Sequence, residues 1–165
     1  MGMCANYMMV DDDEVDRMME LDEETLLDRI DELEDEGNEV HCLDRLWDGL
    51  HFLLTGKSAE DPIDDDELSA AIVGVHNFET DESFVACIEK EELEDVVKEM
   101  EKVDLEIFWK KRKLLDFRKK KIYPKIWKDE DLDSIKVEMV TEFNNLLRFY
   151  RTALGKKMNI IVSIY

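Results

Sequence analysis

The segment LDRLWDGLHFLLTG, residues 43–56, holds the side chains best suited to chemistry in this sequence. Its leucines and Trp47 recur at helical spacing, which predicts a helix with one apolar face. Asp44, Asp48 and His51 fall beside that face at i, i+4 and i+7, so the second carboxylate and the imidazole can touch. A carboxylate that holds an imidazole sets its tautomer and raises its pKa, which is the arrangement of a general base.

Two other interpretations compete with a general base. A histidine at the border of an apolar helix face is most often a packing residue whose nitrogens are bonded inside the protein. Alternatively, Trp and Tyr line ligand pockets, because they combine an apolar body with a polar tip. The candidate pocket then comprises Tyr7, Asp44, Trp47, Asp48, His51, Tyr123 and Trp127. Catalysis requires a ring nitrogen of His51 that protein groups leave free, and whether the chain is an enzyme stays open at this point.

No cofactor and no metal are predicted. The sequence contains no GxGxxG, P-loop or GxSxG motif. Asp44, Asp48 and His51 could supply three metal ligands, but carboxylates are so abundant here that such a coincidence is expected. The segment DPIDDDE, residues 61–67, resembles a calcium loop only in composition, since it lacks the central glycine, and it is interpreted as a solvated turn.

The cysteines and the apolar runs bear on the compartment. Cys4, Cys42 and Cys87 are an odd number at wide spacing without a zinc pattern, which favours reduced thiols. The first residues lack the basic and apolar regions of a signal peptide, and no apolar run approaches the length of a membrane span. We therefore expect a soluble cytoplasmic protein.

The functional hypothesis rests on net charge, for which the alternative interpretation is an acidic surface that only keeps the protein soluble. The chain of 165 residues carries 43 Asp and Glu against 22 Lys and Arg, a net charge of −21. Such a charge opposes binding to nucleic acid or to an anionic membrane and favours a cationic partner.

The favoured hypothesis is a binding protein that engages a basic partner protein, as an inhibitor or immunity protein does. The alternative is an enzyme or small-ligand binder with its pocket around Asp48, His51 and Trp47. A structural homodimer subunit is a third hypothesis, and the oligomeric state is not predicted.

Charge is also unevenly distributed along the chain. Residues Lys110–Lys128 hold ten Lys and Arg against one Asp. The acidic excess lies mainly in Asp11–Glu39 and Glu60–Glu67. We expect the acidic and basic regions to pair with each other, although exposed pairs are individually weak; the alternative is a dipolar molecule.

Apolar periodicity predicts one α+β domain over residues 1–165, with a small sheet of at least three strands and helices packed on it. The predicted strands are Met3–Val10, Ser83–Ile88 and Met158–Tyr165, the last of them buried on both sides. The predicted helices are one or two within residues 11–33, then Leu43–Leu54, Asp66–Val73, Glu91–Lys102, Asp104–Phe117 and a long helix that Asp129 caps and Gly155 closes.

Several segments in order resemble a known family. They are MGM with Tyr7 in the first strand, LDRLWDGLHFLLTG, ELSAAIVG, IYPKIW and FYRTALGKKMNIIVSIY. On these segments the chain resembles the YfbM-like proteins, a bacterial family of unassigned function, over essentially its whole length. The resemblance implies an α+β fold that stands alone, and it implies no catalytic residues. The acidic N-terminal block and the lysine run Lys110–Lys121 look peculiar to this member.

Overall fold

Five antiparallel strands form a sheet within residues 2–165, the part of the chain that the computed structural model describes. They are β1 (Ala5–Val10), β2 (Val40–Asp44), β3 (His76–Asn77), β4 (Phe84–Ile88) and β5 (Asn159–Ile164). The order across the sheet is β2, β1, β5, β4, β3. The central strand β5 pairs with β1, from Ala5 opposite Ile164 to Val10 opposite Asn159. Strands from both ends of the described chain therefore meet at the centre of the sheet.

Eight α-helices of the described residues accompany the sheet. They are α1 (Asp12–Met18), α2 (Glu23–Asp35), α3 (Trp47–Thr55), α4 (Glu67–Val73), α5 (Lys90–Glu101), α6 (Leu105–Lys111), α7 (Leu114–Lys119) and α8 (Leu132–Lys156). Four of them begin after an aspartate whose carboxylate accepts a backbone N–H of the first turn, which explains where they start. These capping residues are Asp11, Asp22, Asp66 and Asp104. None of the described helices is long and apolar enough to cross a membrane.

Two apolar cores lie on opposite faces of the sheet. Alternate residues of β1 enter different cores: Tyr7 and Met9 join the larger one, and Met8 and Val10 join the smaller one beneath α1 and α2. All six residues of β5 are buried, because helices cover both faces of that strand. The α+β prediction and the two-sided burial of the last strand are both confirmed.

The predicted helix Leu43–Leu54 is wrong at its start. Leu43 and Asp44 belong to the edge strand β2, and the helix begins at Trp47. Asp44 adopts a left-handed backbone with φ 56°, which turns the chain out of the strand. Pairing with β1 decides this segment, although the leucine spacing alone fits a helix. Gly56, with φ 82°, ends the helix as predicted.

Three smaller differences concern helix ends and a short strand. The predicted helix Asp104–Phe117 is two helices, because Arg112 is extended and the guanidinium lies over the ring of Phe52. The long helix runs past Gly155 and stops where Lys157 turns left-handed, with φ 55°. The two-residue strand β3 was not predicted, since it is too short to show periodicity.

Candidate functional site

Asp48 on α3 is a buried carboxylate that joins three segments of the chain. The residue is 2% exposed. Its Oδ1 accepts hydrogen bonds from the backbone N–H of Ala59 at 2.7 Å and from the hydroxyl of Ser58 at 2.9 Å. Its Oδ2 accepts the backbone N–H of Tyr123 at 2.8 Å. A buried charge with three donors is satisfied by the protein itself, which is a structural arrangement.

His51 is fully buried and both of its ring nitrogens are bonded to protein. Nδ1 lies 2.7 Å from the carbonyl of Lys57, and Nε2 lies 2.8 Å from the hydroxyl of Ser69. Because a carbonyl only accepts, Nδ1 carries the proton and Nε2 accepts from the serine. Burial lowers the pKa of His51, although the nearby Asp48 acts in the opposite direction.

The Asp48–His51 hydrogen bond that a general base requires is therefore absent, because each side chain is bonded to other groups. Burial lowers the pKa of His51, whereas a carboxylate bonded to the ring would raise it. No ring nitrogen is left for a substrate proton, so the geometry is that of the packing interpretation and not of a general base.

Three aromatic residues of the candidate pocket pack around α3. The ring of Trp47 stacks on Tyr123 with centroids 5.5 Å apart. Trp127 fills the space beside Gly49, where an added Cβ would lie 2.3 Å from the indole ring. Its Nε1 donates to the carbonyl of Ile122 at 2.8 Å. The structure thus brings Trp47, Tyr123 and Trp127 together with Asp48, and binding of a small molecule by this group stays a prediction.

Tyr7 and Asp44, also assigned to the candidate pocket, make different contacts. The hydroxyl of Tyr7 donates to the carbonyl of Ile72 at 2.7 Å in the sheet core, and burial raises the pKa of this phenol. Asp44 lies at the end of β2, where its carboxylate accepts the thiol of Cys4 at 3.4 Å. The expected stripe of Asp44, Asp48 and His51 on one helix therefore does not form, nor does the metal triad it would supply.

A groove of about 830 Å³ opens on the surface where α4, α5 and the edge strand β3 come together. Seven carboxylates line it, and no Lys or Arg is among its described lining residues. The seven are Asp64, Asp65, Asp66, Glu67, Glu91, Glu92 and Asp95. The lining also includes five apolar residues. These are Ile63, Ala70, Val73, Val75 and Val96.

Most of the groove carboxylates lack a cation. Glu92 faces the imidazole of His76 at 2.7 Å, and within residues 2–165 the other six form no ion pair. The lysines of α5 form their ion pairs with other carboxylates, Lys90 with Asp12, and Lys98 with Glu94 at 3.0 Å. Lys98 and Lys102 nevertheless line a neighbouring depression together with Glu67 and Asp95. The negative charge of the groove is therefore only partly balanced by neighbouring lysines.

The sequence gives little indication of this groove. The sequence predicts a solvated turn for residues 61–67, and residues 91–95 fall in the predicted helix Glu91–Lys102. The two segments become one surface only because α4 packs on α5. An excess of acids around both segments is the one sequence signal that points to it.

Among the described residues, one group of side chains has the composition of a metal site. His76, Glu89 and Glu92 each place a ligand atom within 4.8 Å of the others. The carboxylate of Glu92 also accepts the backbone N–H of Glu89 at 3.0 Å, at the start of α5. That local role accounts for the orientation of Glu92.

The basic segment Lys110–Lys128 is exposed and does not neutralise the acidic regions. Nine of its ten Lys and Arg residues are exposed, and Arg118 pairs with Asp129 at 3.1 Å. In residues 2–165 no ion pair joins this segment to Asp11–Glu39 or Glu60–Glu67, so the predicted mutual pairing is wrong. The cations that pair with the acidic regions come from elsewhere in the chain, such as Arg29 with Glu14.

Comparison with known proteins places the chain in a family. A family model described as a domain of unknown function, DUF1877, matches residues 1–163. Protein YfbM of Escherichia coli (strain K12) is 29% identical over 156 residues, 93% of each protein. The crystal structure of YfbM from Escherichia coli, described as a protein of unknown function, matches with a TM-score of 0.80 at 26% identity, over 98% of this chain and 99% of that one. These matches confirm the resemblance to YfbM-like proteins, and the chain belongs to the DUF1877 family.

Proposed function

We propose that this chain is a cytoplasmic binding protein whose acidic groove engages a basic partner protein, as an inhibitor or immunity protein does. The observation that carries the proposal is the groove itself, with seven lining carboxylates and no Lys or Arg among its described lining residues. Carboxylates that are concentrated in a concave surface make the local potential more negative and attract a partner of opposite charge. The cytoplasmic assignment rests on the cysteines, whose three thiols are free.

The net charge of −21 supports the same proposal. A large net charge accelerates encounter with an oppositely charged partner and discourages binding to other polyanions. A cationic partner gains favourable Coulomb energy from the groove carboxylates when it binds. Exposed charge pairs of this kind weaken as salt is added.

The test compares two double variants with the same change of net charge. Glu91→Lys with Asp95→Lys reverses two groove charges on α5, and Glu24→Lys with Asp28→Lys makes the matched change on α2. All four residues are exposed. In both helices the two positions are one turn apart, and the first is the second helical residue. Only the position of the charges relative to the groove differs.

The measurement is capture from a lysate of the source organism by wild type and both variants, at low salt and in about 1 M salt. We expect wild type and the α2 variant to retain an identified basic protein at low salt, and the groove variant to lose it. The purified partner should then bind wild type with an affinity that falls as salt rises. A partner that is acidic, or one that stays bound in about 1 M salt, would overturn the proposal.

A further inference from the structure

We infer that the groove takes a segment of the partner in which an apolar side chain stands between lysines or arginines. This inference rests on the proposed function and adds the chemistry of the segment that is recognised. Two features of the groove support it, the distribution of charge and the apolar surface.

The acidic lining comes from two separate parts of the chain. One is the segment Asp64–Glu67, which leads into α4, and the other is the first turns of α5, from Glu91 to Asp95. Apolar lining residues lie on the helices where these pack together: Ala70 and Val73 of α4 belong to the same core as Val96 of α5. These three side chains are nearly buried, so the apolar surface open to a ligand between the acidic segments comes from other lining residues.

The apolar side chain of Val75 is left partly exposed in the free protein. Val75, which precedes β3, is 43% exposed and lies among the lining residues. Ion pairs with the carboxylates leave this valine in contact with water. An apolar side chain of the partner would cover the valine and remove it from water, which is favourable. An exposed valine beside a cluster of carboxylates is the combination that a basic and apolar segment complements.

The size of the groove argues against a simple cation as the occupant. A volume of about 830 Å³ is far larger than one ion needs, and lies within the range of clefts that hold ligands of several groups. A hydrated cation gains nothing from apolar lining. A peptide segment uses the carboxylates and the apolar lining at once.

The test uses synthetic peptides with the purified full chain, in a fluorescence anisotropy titration at low salt. The first peptide has a leucine between two pairs of lysines, the second replaces the leucine with serine, and the third replaces the lysines with glutamates. We expect the first to bind about tenfold more tightly than the second, because the leucine is buried. The third should not bind.

Two valine variants locate the apolar contact. Val75→Ser should reduce the affinity for the leucine peptide to near that of the serine peptide. Val137→Ser is the matched control, because Val137 is also exposed, at 67%, but lies on α8 outside the groove lining. It should leave both affinities unchanged. Thermal unfolding of each variant shows that the fold is kept.

The outcomes separate this inference from the proposed function. Equal binding of the leucine and serine peptides, with no effect of Val75→Ser, would overturn the inference and leave the acidic groove as a site for basic partners. Failure of both basic peptides to bind would overturn the inference and count against the proposed function as well. Loss of the leucine preference in Val137→Ser would also contradict the inference, because the apolar contact would then lie outside the groove.

Discussion

Asp48 shows what a single buried carboxylate contributes to this fold. It accepts three hydrogen bonds, from Ser58, Ala59 and Tyr123, so it ties two later segments to α3. In Asp48→Asn, the amide NH₂ would face a donor and leave it unsatisfied. We expect the free energy of unfolding to fall by about 2–4 kcal/mol, measured by urea denaturation. The exposed Asp28→Asn is the control, and equal stability of the two variants would contradict this role.

His51 makes the stability of the protein depend on pH. Burial lowers its pKa, so the folded protein keeps this ring neutral. Below pH about 6.5 the unfolded chain takes up a proton there and the folded chain does not, so stability falls as the pH drops.

We expect His51→Gln to be less stable than wild type at pH 7, because a buried hydrogen-bonded side chain is replaced. Its stability should fall less steeply between pH 6.5 and 5, by up to about 1.4 kcal/mol per pH unit. Urea denaturation across this range measures both slopes. His41, whose pKa burial also lowers, is present in both proteins and cancels in the comparison. If the stability of wild type and of His51→Gln changed equally with pH, His51 would have the same pKa in the folded and unfolded states, which would contradict this expectation.

The local sequence around His51 predicted part of this site. Helical spacing placed the ring at the border of an apolar face, and the packing interpretation agrees with its complete burial. Its partner Ser69 lies 18 residues further along the chain, beyond the reach of helical spacing. The Asp48–His51 pair was expected because spacing shows which side chains are neighbours, but not which long-range partners compete for them.

At the scale of elements, the close packing of α3 against its neighbours requires a glycine at position 49. An added Cβ at Gly49 would lie 2.3 Å from the ring of Trp127 and 2.7 Å from Met139 of α8. Gly155, near the end of α8, has nothing within 4 Å of an added Cβ. The same substitution should therefore have opposite effects at these two helical positions.

We expect Gly49→Ala to lower the free energy of unfolding by about 1–3 kcal/mol, through overpacking against the indole. Gly155→Ala should raise it by up to about 1 kcal/mol, because alanine favours the helix. Thermal and urea unfolding of the two variants provide the comparison. A stable Gly49→Ala protein would mean that Trp127 is free to move away, and would contradict tight packing of α3 on this residue.

Most helices and strands could be predicted from sequence where the spacing of apolar residues agrees with the capping or turn residues at their ends. Strand β5 and helix α5 were found because alternation and helical spacing are clear and uninterrupted. The sequence predicts a helix at Leu43 because the spacing of the leucines fits one. The structure places Leu43 in a strand because it pairs with β1, and local spacing does not reveal such a long-range pairing. The acidic groove was missed for a related reason: residues 61–67 and 91–95 meet only through the packing of α4 on α5.

At the scale of the whole molecule, salt should act in opposite directions on the free protein and on its complex. The net charge of −21 repels itself in the folded state, and ions screen that repulsion. We expect the Tm of the free protein to rise by about 2–4 °C on addition of about 0.5 M NaCl, which corresponds to about 1 kcal/mol. Differential scanning calorimetry measures this shift.

A fall of Tm with salt would contradict this expectation. It would show that ion pairs such as Arg29 with Glu14, at 2.8 Å, outweigh the general repulsion. The partner complex should weaken under the same conditions, so the two measurements together separate self-repulsion from attraction between the proteins.

The central position of β5 has a consequence for how the protein is made. A ribosome that has reached residue 158 has produced β1 with β2 and β3 with β4, but not the strand that joins them. Some 70 residues separate β4 from β5, and their synthesis takes on the order of ten seconds. During that interval the edges of β1 and β4 that β5 covers in the folded protein have no partner, so a chaperone that shields strand edges would be needed most at this stage.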